Sequence, residues 1–328
     1  MRVTPQCDTI NSLIIADAGG VQTDPSVVFN GENYIVVWTD GRFPNYRYWV
    51  VTARITPQGA VLDTGNCIGY CVDQRESYPD IAFDGSRCLA VWLNFYPPQT
   101  ICGRFINSAA MPEDTVITIS AVSTSGYVEP KIAFDGTNYL VIYVDRPGNY
   151  YNIYGQLISP NGSLIGEIIP IACDPIDQKF HDLIWDGHFY VIVWLEGSFN
   201  VKGQRVDAAG QLVGSSFQIS SMTSNFRDYP SIARAASNYL VVWSEYRNAE
   251  YDVYGNVDQL IGTEERKVRH DNNFMSATII SGQITLPKDK PHRVYDISGR
   301  EVDLLELVPG IYFIEIDGCV RHKVIKIQ

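Results

Sequence analysis

Four carboxylates recur at the same place in this chain. Asp24, Asp80, Glu129 and Asp182 each lie within a residue or so of the start of a repeated hydrophobic segment. Carboxyl pairs at suitable separation are the chemistry of glycosidic bond cleavage, one acting as acid and the other as base or nucleophile. The same column of the repeat also holds Tyr78, Phe180 and Tyr229, and no further motif surrounds the acids. On the sequence, no residue is assigned a catalytic role, and the chain is expected not to be an enzyme.

A second set of residues suits binding. Tyr46, Tyr48, Phe95, Tyr96, Tyr150, Tyr151, Phe199, Tyr246 and Tyr251 fall in segments that also carry Asn, Arg and Pro. Aromatic rings beside hydrogen-bonding side chains fit the apolar faces and hydroxyls of sugars, and equally fit a protein interface. The five histidines make no ligand cluster and the seven cysteines have no paired CxxC spacing, so neither a metal nor a cofactor is expected.

The elements that must position these residues are repeats. A unit running from Pro or His to Gly or Ala recurs as 25–31, 79–85, 130–136, 181–187 and 230–236. Each is followed by a hydrophobic run ending in Trp38, Trp92, Tyr143, Trp194 or Trp243, always 13 residues beyond the first residue of the unit. Such spacing means one supersecondary unit repeated about every 50 residues. Asn30-Gly31, Asp84-Gly85, Asp135-Gly136 and Asp186-Gly187 read as hairpin turns between a first and a second strand, and Ala235-Ala236 replaces them in the fifth copy. A third strand carries a repeated glycine at 103, 155, 203 and 255, where a side chain would obstruct a neighbour.

A fourth strand follows in four copies but not after Gly262, whereas Leu13-Ile14-Ile15-Ala16 stands before the first copy in the register of a fourth strand. The expected architecture is therefore all-β: a five-bladed β-propeller over residues 1–262, closed by an N-terminal strand at 12–17 that removes the exposed edges of an open array. The four tryptophans are expected to pack between blades. The loop from second to third strand varies, with 13, 9, 10, 7 and 10 residues separating the repeat aromatic from the third strand. Variation on a fixed scaffold is where binding is expected.

Residues 263–328 differ in texture. Val294-Tyr295-Asp296-Ile297-Ser298-Gly299-Arg300, Leu307-Val308-Pro309-Gly310-Ile311-Tyr312-Phe313-Ile314 and Lys323-Val324-Ile325-Lys326-Ile327 follow in an order that resembles the C-terminal sorting domain of type IX secretion cargo in Bacteroidota and related bacteria. That resemblance implies a small antiparallel β-sandwich and a location outside the cell or on the outer surface of a bacterium. Alternation in the last two segments gives strands with one buried face, joined at Asp317-Gly318.

Charge narrows the partners. The chain carries a net charge of −12, and all of the excess lies in residues 1–261, with 15 Lys/Arg against 27 Asp/Glu. Such a surface repels phosphate backbones and anionic membranes, and no stretch is long and apolar enough to span a bilayer. The expected function is a non-catalytic extracellular propeller for assembly or binding, with another protein subunit or a surface glycan as partner and a homo-oligomer or polymer as its form. A glycan-binding lectin-like protein and a propeller glycoside hydrolase are the alternatives.

Overall fold

The computed structural model describes residues 2–3, 9–11, 13–43, 47–63, 65–69, 75–113, 115–123, 128–221, 223–235, 238–247, 249–258, 278–281, 292–296, 300–303, 310–316 and 319–327. The chain divides into two units, Met1–Leu260 and Ile261–Gln328.

The first unit is a five-bladed β-propeller. A short pair, β1 (Arg2–Val3) and β2 (Thr9–Asn11), precedes it. Blade 1 is β3 (Gln22–Phe29), β4 (Tyr34–Phe43), β5 (Arg47–Ile55) and β6 (Asn66–Cys67), hydrogen-bonded in that order. Blade 2 is β7 (Glu76–Phe83), β8 (Cys88–Asn94), β9 (Thr100–Ile106) and β10 (Ile117–Ala121). Blade 3 is β11 (Lys131–Phe134), β12 (Tyr139–Asp145), β13 (Asn152–Ile158) and β14 (Leu164–Ala172). Blade 4 is β15 (Gln178–Trp185), β16 (Tyr190–Glu196), β17 (Asn200–Val206) and β18 (Leu212–Gln218). Blade 5 is β19 (Arg227–Arg234), β20 (Tyr239–Arg247) and β21 (Glu250–Asp258), with no fourth strand among the described residues. All of these pairings are antiparallel.

The turn between first and second strands explains the recurring Asn/Asp-Gly. Asn30 N–H donates to Asn33 O, Gly31 takes a φ of 92°, and Asn30 Oδ1 accepts from the N–H groups of Glu32 and Asn33. Asp84, Asp135 and Asp186 repeat the same double acceptance. The glycine is thus the first central residue of the turn, with the acid just before it, one position from the assignment that pairs both as central residues. Ala235 N–H still donates to Asn238 O in the fifth copy.

The core lies between blades. Trp92 sits in the cluster joining blades 1 and 2, Trp194 in that joining 3 and 4, and Trp243 in that joining 4 and 5, while Trp38 packs with Leu13 and Ile15. Strand interiors such as Leu89, Val91, Tyr139 and Val141 have no exposed surface, which supplies the apolar burial that holds the ring together. The third-strand glycines behave as expected: a Cβ at Gly203 would lie 2.8 Å from the Phe217 ring, and one at Gly155 2.9 Å from Ile171 Cδ1. Cys67 is disulfide-bonded, whereas Cys88 and Cys102 are buried thiols and Cys173 an exposed one.

In the second unit the described residues form one four-stranded sheet in the order β22 (Thr278–Ser281), β25 (Cys319–Ile327), β24 (Gly310–Ile316), β23 (His292–Asp296). β22 runs parallel to β25 and the other pairs are antiparallel. The hairpin at Asp317-Gly318 lies outside the described residues.

Candidate functional site

The innermost strands carry an irregularity that sequence alignment does not reveal. In β3, β7, β15 and β19 the register slips between Thr23 and Ser26, Ser77 and Asp80, Lys179 and Asp182, and Asp228 and Ser231. Within each slip one non-glycine residue adopts a left-handed backbone: Asp24 at φ 54°, Tyr78 at 58°, Phe180 at 49° and Tyr229 at 51°. Each such residue costs on the order of 1–3 kcal/mol and persists only when its surroundings impose it, a pattern that concentrates at functional sites. Glu129 occupies the same column in blade 3, just before β11.

These residues belong to different blades, yet they interact. Burial raises the Tyr78 phenol above its ordinary range, and the charges of Asp24 and Glu129 and the Tyr229 phenol add to the effect. Groups from blades 1, 2, 3 and 5 can meet only around the axis. Glu129 is held above the usual carboxylate range by burial, with Asp24 adding to the rise and Lys131 opposing it. Phe180 and Tyr229 pack as a tilted pair with centroids 4.5 Å apart, and Tyr78 approaches Phe95 at 6.3 Å. The axial mouth therefore presents two acids beside three aromatic side chains.

The other two carboxylates have different work. Asp80 Oδ1 accepts from Ser26 Oγ at 2.6 Å and Asp80 Oδ2 from Ile132 N–H at 2.9 Å, tying blade 2 to blades 1 and 3. Asp182 Oδ2 accepts from Ser231 Oγ at 2.7 Å and from Ile232 N–H at 3.0 Å, tying blade 4 to blade 5. Burial raises the Asp80 carboxyl, and Lys131 works against that rise. His181, which replaces the proline of the other copies, is buried, and its pKa is lowered to about 3 by burial and by Lys131, so it is neutral. Its Nε2 has no hydrogen-bond partner.

The loop aromatics are divided. Tyr46 lies outside the described residues. Tyr48 and Phe95 flank the Arg75 guanidinium at 5.3 and 4.7 Å, which links them through Phe95 to the axial Tyr78. Tyr151 packs on the cluster of blades 3 and 4 beneath Arg146 and Lys179. Phe199 pairs with Phe226 at 5.2 Å and Tyr246 with Tyr251 at 5.0 Å. Tyr96 and Tyr150 are exposed. Packing against a core cluster accounts for Tyr151 and Phe95, while Tyr96, Tyr150, Phe199, Tyr246 and Tyr251 are exposed and Tyr48 half-buried. Among the described residues no group of three His, Cys, Asp or Glu is placed to hold a metal.

No protein-family model matches the chain, and no curated protein matches it by sequence. Solved structures do. A protein of unknown function from Dyadobacter fermentans aligns with a TM-score of 0.52 at 11% identity, over 72% of this chain and 78% of its own. Arabinanase Arb43A of Bacillus subtilis aligns at 0.42 and 13% identity, over 73% and 95%. The catalytic domain of a GH62 α-L-arabinofuranosidase from Coprinopsis cinerea aligns at 0.43 and 11%, over 73% and 88%. At these identities the likeness is one of fold.

The expectation of a non-catalytic propeller, and of no enzymatic role, is corrected here. Solved structures that align with this chain include an arabinanase and the catalytic domain of an α-L-arabinofuranosidase. In sequence the tyrosines and the phenylalanine share a column with the acids, and no motif surrounds them. In the structure that mixture is a pair of acids with aromatic walls.

Proposed function

We propose that the chain is a propeller glycoside hydrolase whose site is the axial mouth formed by Asp24, Tyr78, Glu129, Phe180 and Tyr229. One observation carries this reading: half-buried Glu129 is held above the ordinary carboxylate range by its burial, with the charge of Asp24 adding to the rise against Lys131. A carboxyl shifted in that direction is moved toward the role of proton donor to a departing sugar oxygen. Glu129 is the general acid, and Asp24 is the partner carboxylate that activates water or attacks the sugar. Tyr78, Phe180 and Tyr229 offer ring faces to the pyranose or furanose.

The excess negative charge of the first unit favours a neutral or cationic glycan over a uronate or sulfated one. Export is part of the proposal, supported by the resemblance of residues 263–328 to a type IX sorting domain and by the disulfide at Cys67, which suits an oxidising compartment. The test is reducing-end release from a panel of neutral polysaccharides by the full chain. Glu129→Gln is expected to lower turnover at least 100-fold on a substrate with a poor leaving group while leaving binding within a few-fold. Release by the variant at the wild-type rate would overturn the assignment.

A further inference from the structure

The four joints between successive blades are built alike, and among the described residues no fifth joint closes blade 5 on blade 1. In the joint of blades 2 and 3, Leu89, Ile101 and Phe105 are 0%, 0% and 1% exposed. Their counterparts in blade 5, Leu240, Val253 and Val257, are 44%, 77% and 63% exposed. On the receiving side, Ile81 and Cys88 of blade 2 are 5% and 2% exposed where blade 1 covers them, whereas the equivalent Val27 and Tyr34 of blade 1 are 58% and 42% exposed. Both halves of a joint between blades 5 and 1 are thus present and uncovered. Beside the blade 1 half lies a cavity of about 580 Å³ lined by Leu13, Ile15, Val27, Tyr34, Val36 and Ile55 among others.

The segment before blade 1 fits this seam. Leu13, Ile15 and Ala16 pack on Val36, Trp38 and Val51 of blade 1, as Ile117 and Ile119 of β10 pack on blade 3 and Phe217 and Ile219 on blade 5. They therefore occupy the place of a fourth strand of blade 5, whose last described strand, β21, has a free edge among the described residues. In blade 4 the matching strand sets Phe217 opposite Gly203 and Gln218 opposite Lys202. Carried over to blade 5, that register would set Leu13 opposite Gly255 and Ile14 opposite Tyr254.

We infer that the seam is a latch: residues 13–17 pair with β21 and draw blade 5 onto blade 1, and this closure sets the geometry of the axial mouth. The occupant is this chain and not a second copy, because both faces are tethered in one molecule and meet at an effective concentration on the order of millimolar. The link to the mouth follows from the lips of the seam: Asp24 is the left-handed residue of the innermost strand of blade 1, and Tyr229, whose ring lies 4.5 Å from that of Phe180, is the left-handed residue of the innermost strand of blade 5. That second part rests on the axial site being functional, whereas the latch itself does not.

The experiment uses the full chain with Ile14→Cys and Tyr254→Cys in a Cys173→Ser background, since directly opposed strand residues have Cα separations that a disulfide spans. Mild oxidation is expected to give a disulfide within one chain, seen as a monomer by light scattering and as a faster band on a non-reducing gel, with a raised Tm. Disulfides between chains, or none, would overturn the latch. The coupling is read by a carboxyl carbon NMR titration of Glu129, whose pKa is expected to differ by at least 0.3 between oxidised and reduced forms; identical curves would overturn it. Loss of hydrolysis in every form, with the intrachain disulfide intact, would refute the glycosidase reading and leave the latch standing.

Discussion

Asp80→Ala separates the acids that hold the blades from the acids that face the mouth. The substitution removes the acceptor of the Ser26 hydroxyl at 2.6 Å and of the Ile132 N–H at 2.9 Å. A hydrogen bond to a charged acceptor contributes about 1.5–3 kcal/mol, and a main-chain N–H left unpaired in a part-buried joint costs about 1–3 kcal/mol. Against this, the carboxylate is itself disfavoured by burial, as its raised pKa records, so its removal returns part of the loss. The net expectation is about 2–4 kcal/mol. Asp80→Asn keeps one acceptor and sheds the buried charge, so its cost is expected below about 1.5 kcal/mol.

The sign of the pH dependence follows from the direction of the shift. A folded-state pKa above the unfolded value of 3.8 means that the wild type is favoured while the group is protonated. That advantage is lost as pH rises from below 3.8 through the folded pKa, so the balance moves toward Asp80→Asn with rising pH. The assay is urea unfolding followed by tryptophan fluorescence, with a fall in the midpoint at constant slope. Asp24→Asn, which removes no inter-blade tie, is expected within about 0.5 kcal/mol of wild type. An unchanged midpoint for Asp80→Ala, or an equal loss for Asp24→Asn, would refute the division of the four acids.

Arg227 is fully buried and donates to Glu245, to the carbonyls of Phe199 and Ser221 and to Thr223 Oγ1, so Arg227→Met is expected to cost about 3–5 kcal/mol, measured by thermal or urea unfolding. Burial works against the Glu245 carboxylate, but hydrogen bonds from Arg247, Trp243, Asn225 and Arg227 hold its pKa down to about 2. Its contribution is therefore present above about 4.5 and lost as pH falls toward 2, and Glu245→Gln should flatten the acid limb of the stability curve. Gly155→Ala would press a Cβ to 2.9 Å of Ile171 Cδ1 and 3.1 Å of Leu140 Cδ1, with an expected loss of about 1–3 kcal/mol by denaturant titration.

The fold was legible because its signals are local. Thirteen residues separate the start of each unit from its aromatic in every copy, and the turn chemistry of Asn30, Asp84, Asp135 and Asp186 is written in single side chains. The site was less legible, because the axial column combines four residue types over five positions, and the feature shared by four of the five is a backbone angle. Asp24, Tyr78, Phe180 and Tyr229 share a left-handed φ that no residue type announces. What sequence could have offered is position: each of the five column residues directly precedes the Pro or His that opens a unit. The ties also had a trace, since Ser26 pairs with Asp80 and Ser231 with Asp182 at one repeat position, an alternation that only spatial neighbours explain. Sequence grouped all four acids together because they lie within two residues of one another in register, and the strand slip then sends them to different tasks.

The most direct test of the axial site is hydrolysis of neutral oligosaccharides by the wild type, Asp24→Asn and Glu129→Gln, followed across pH. The expected result is a bell-shaped profile for the wild type, with an alkaline limb set by the raised carboxyl of Glu129 that disappears in Glu129→Gln, and turnover lost in both variants without loss of fold. Absence of cleavage across the panel, or cleavage that survives both substitutions with its pH profile intact, would contradict it.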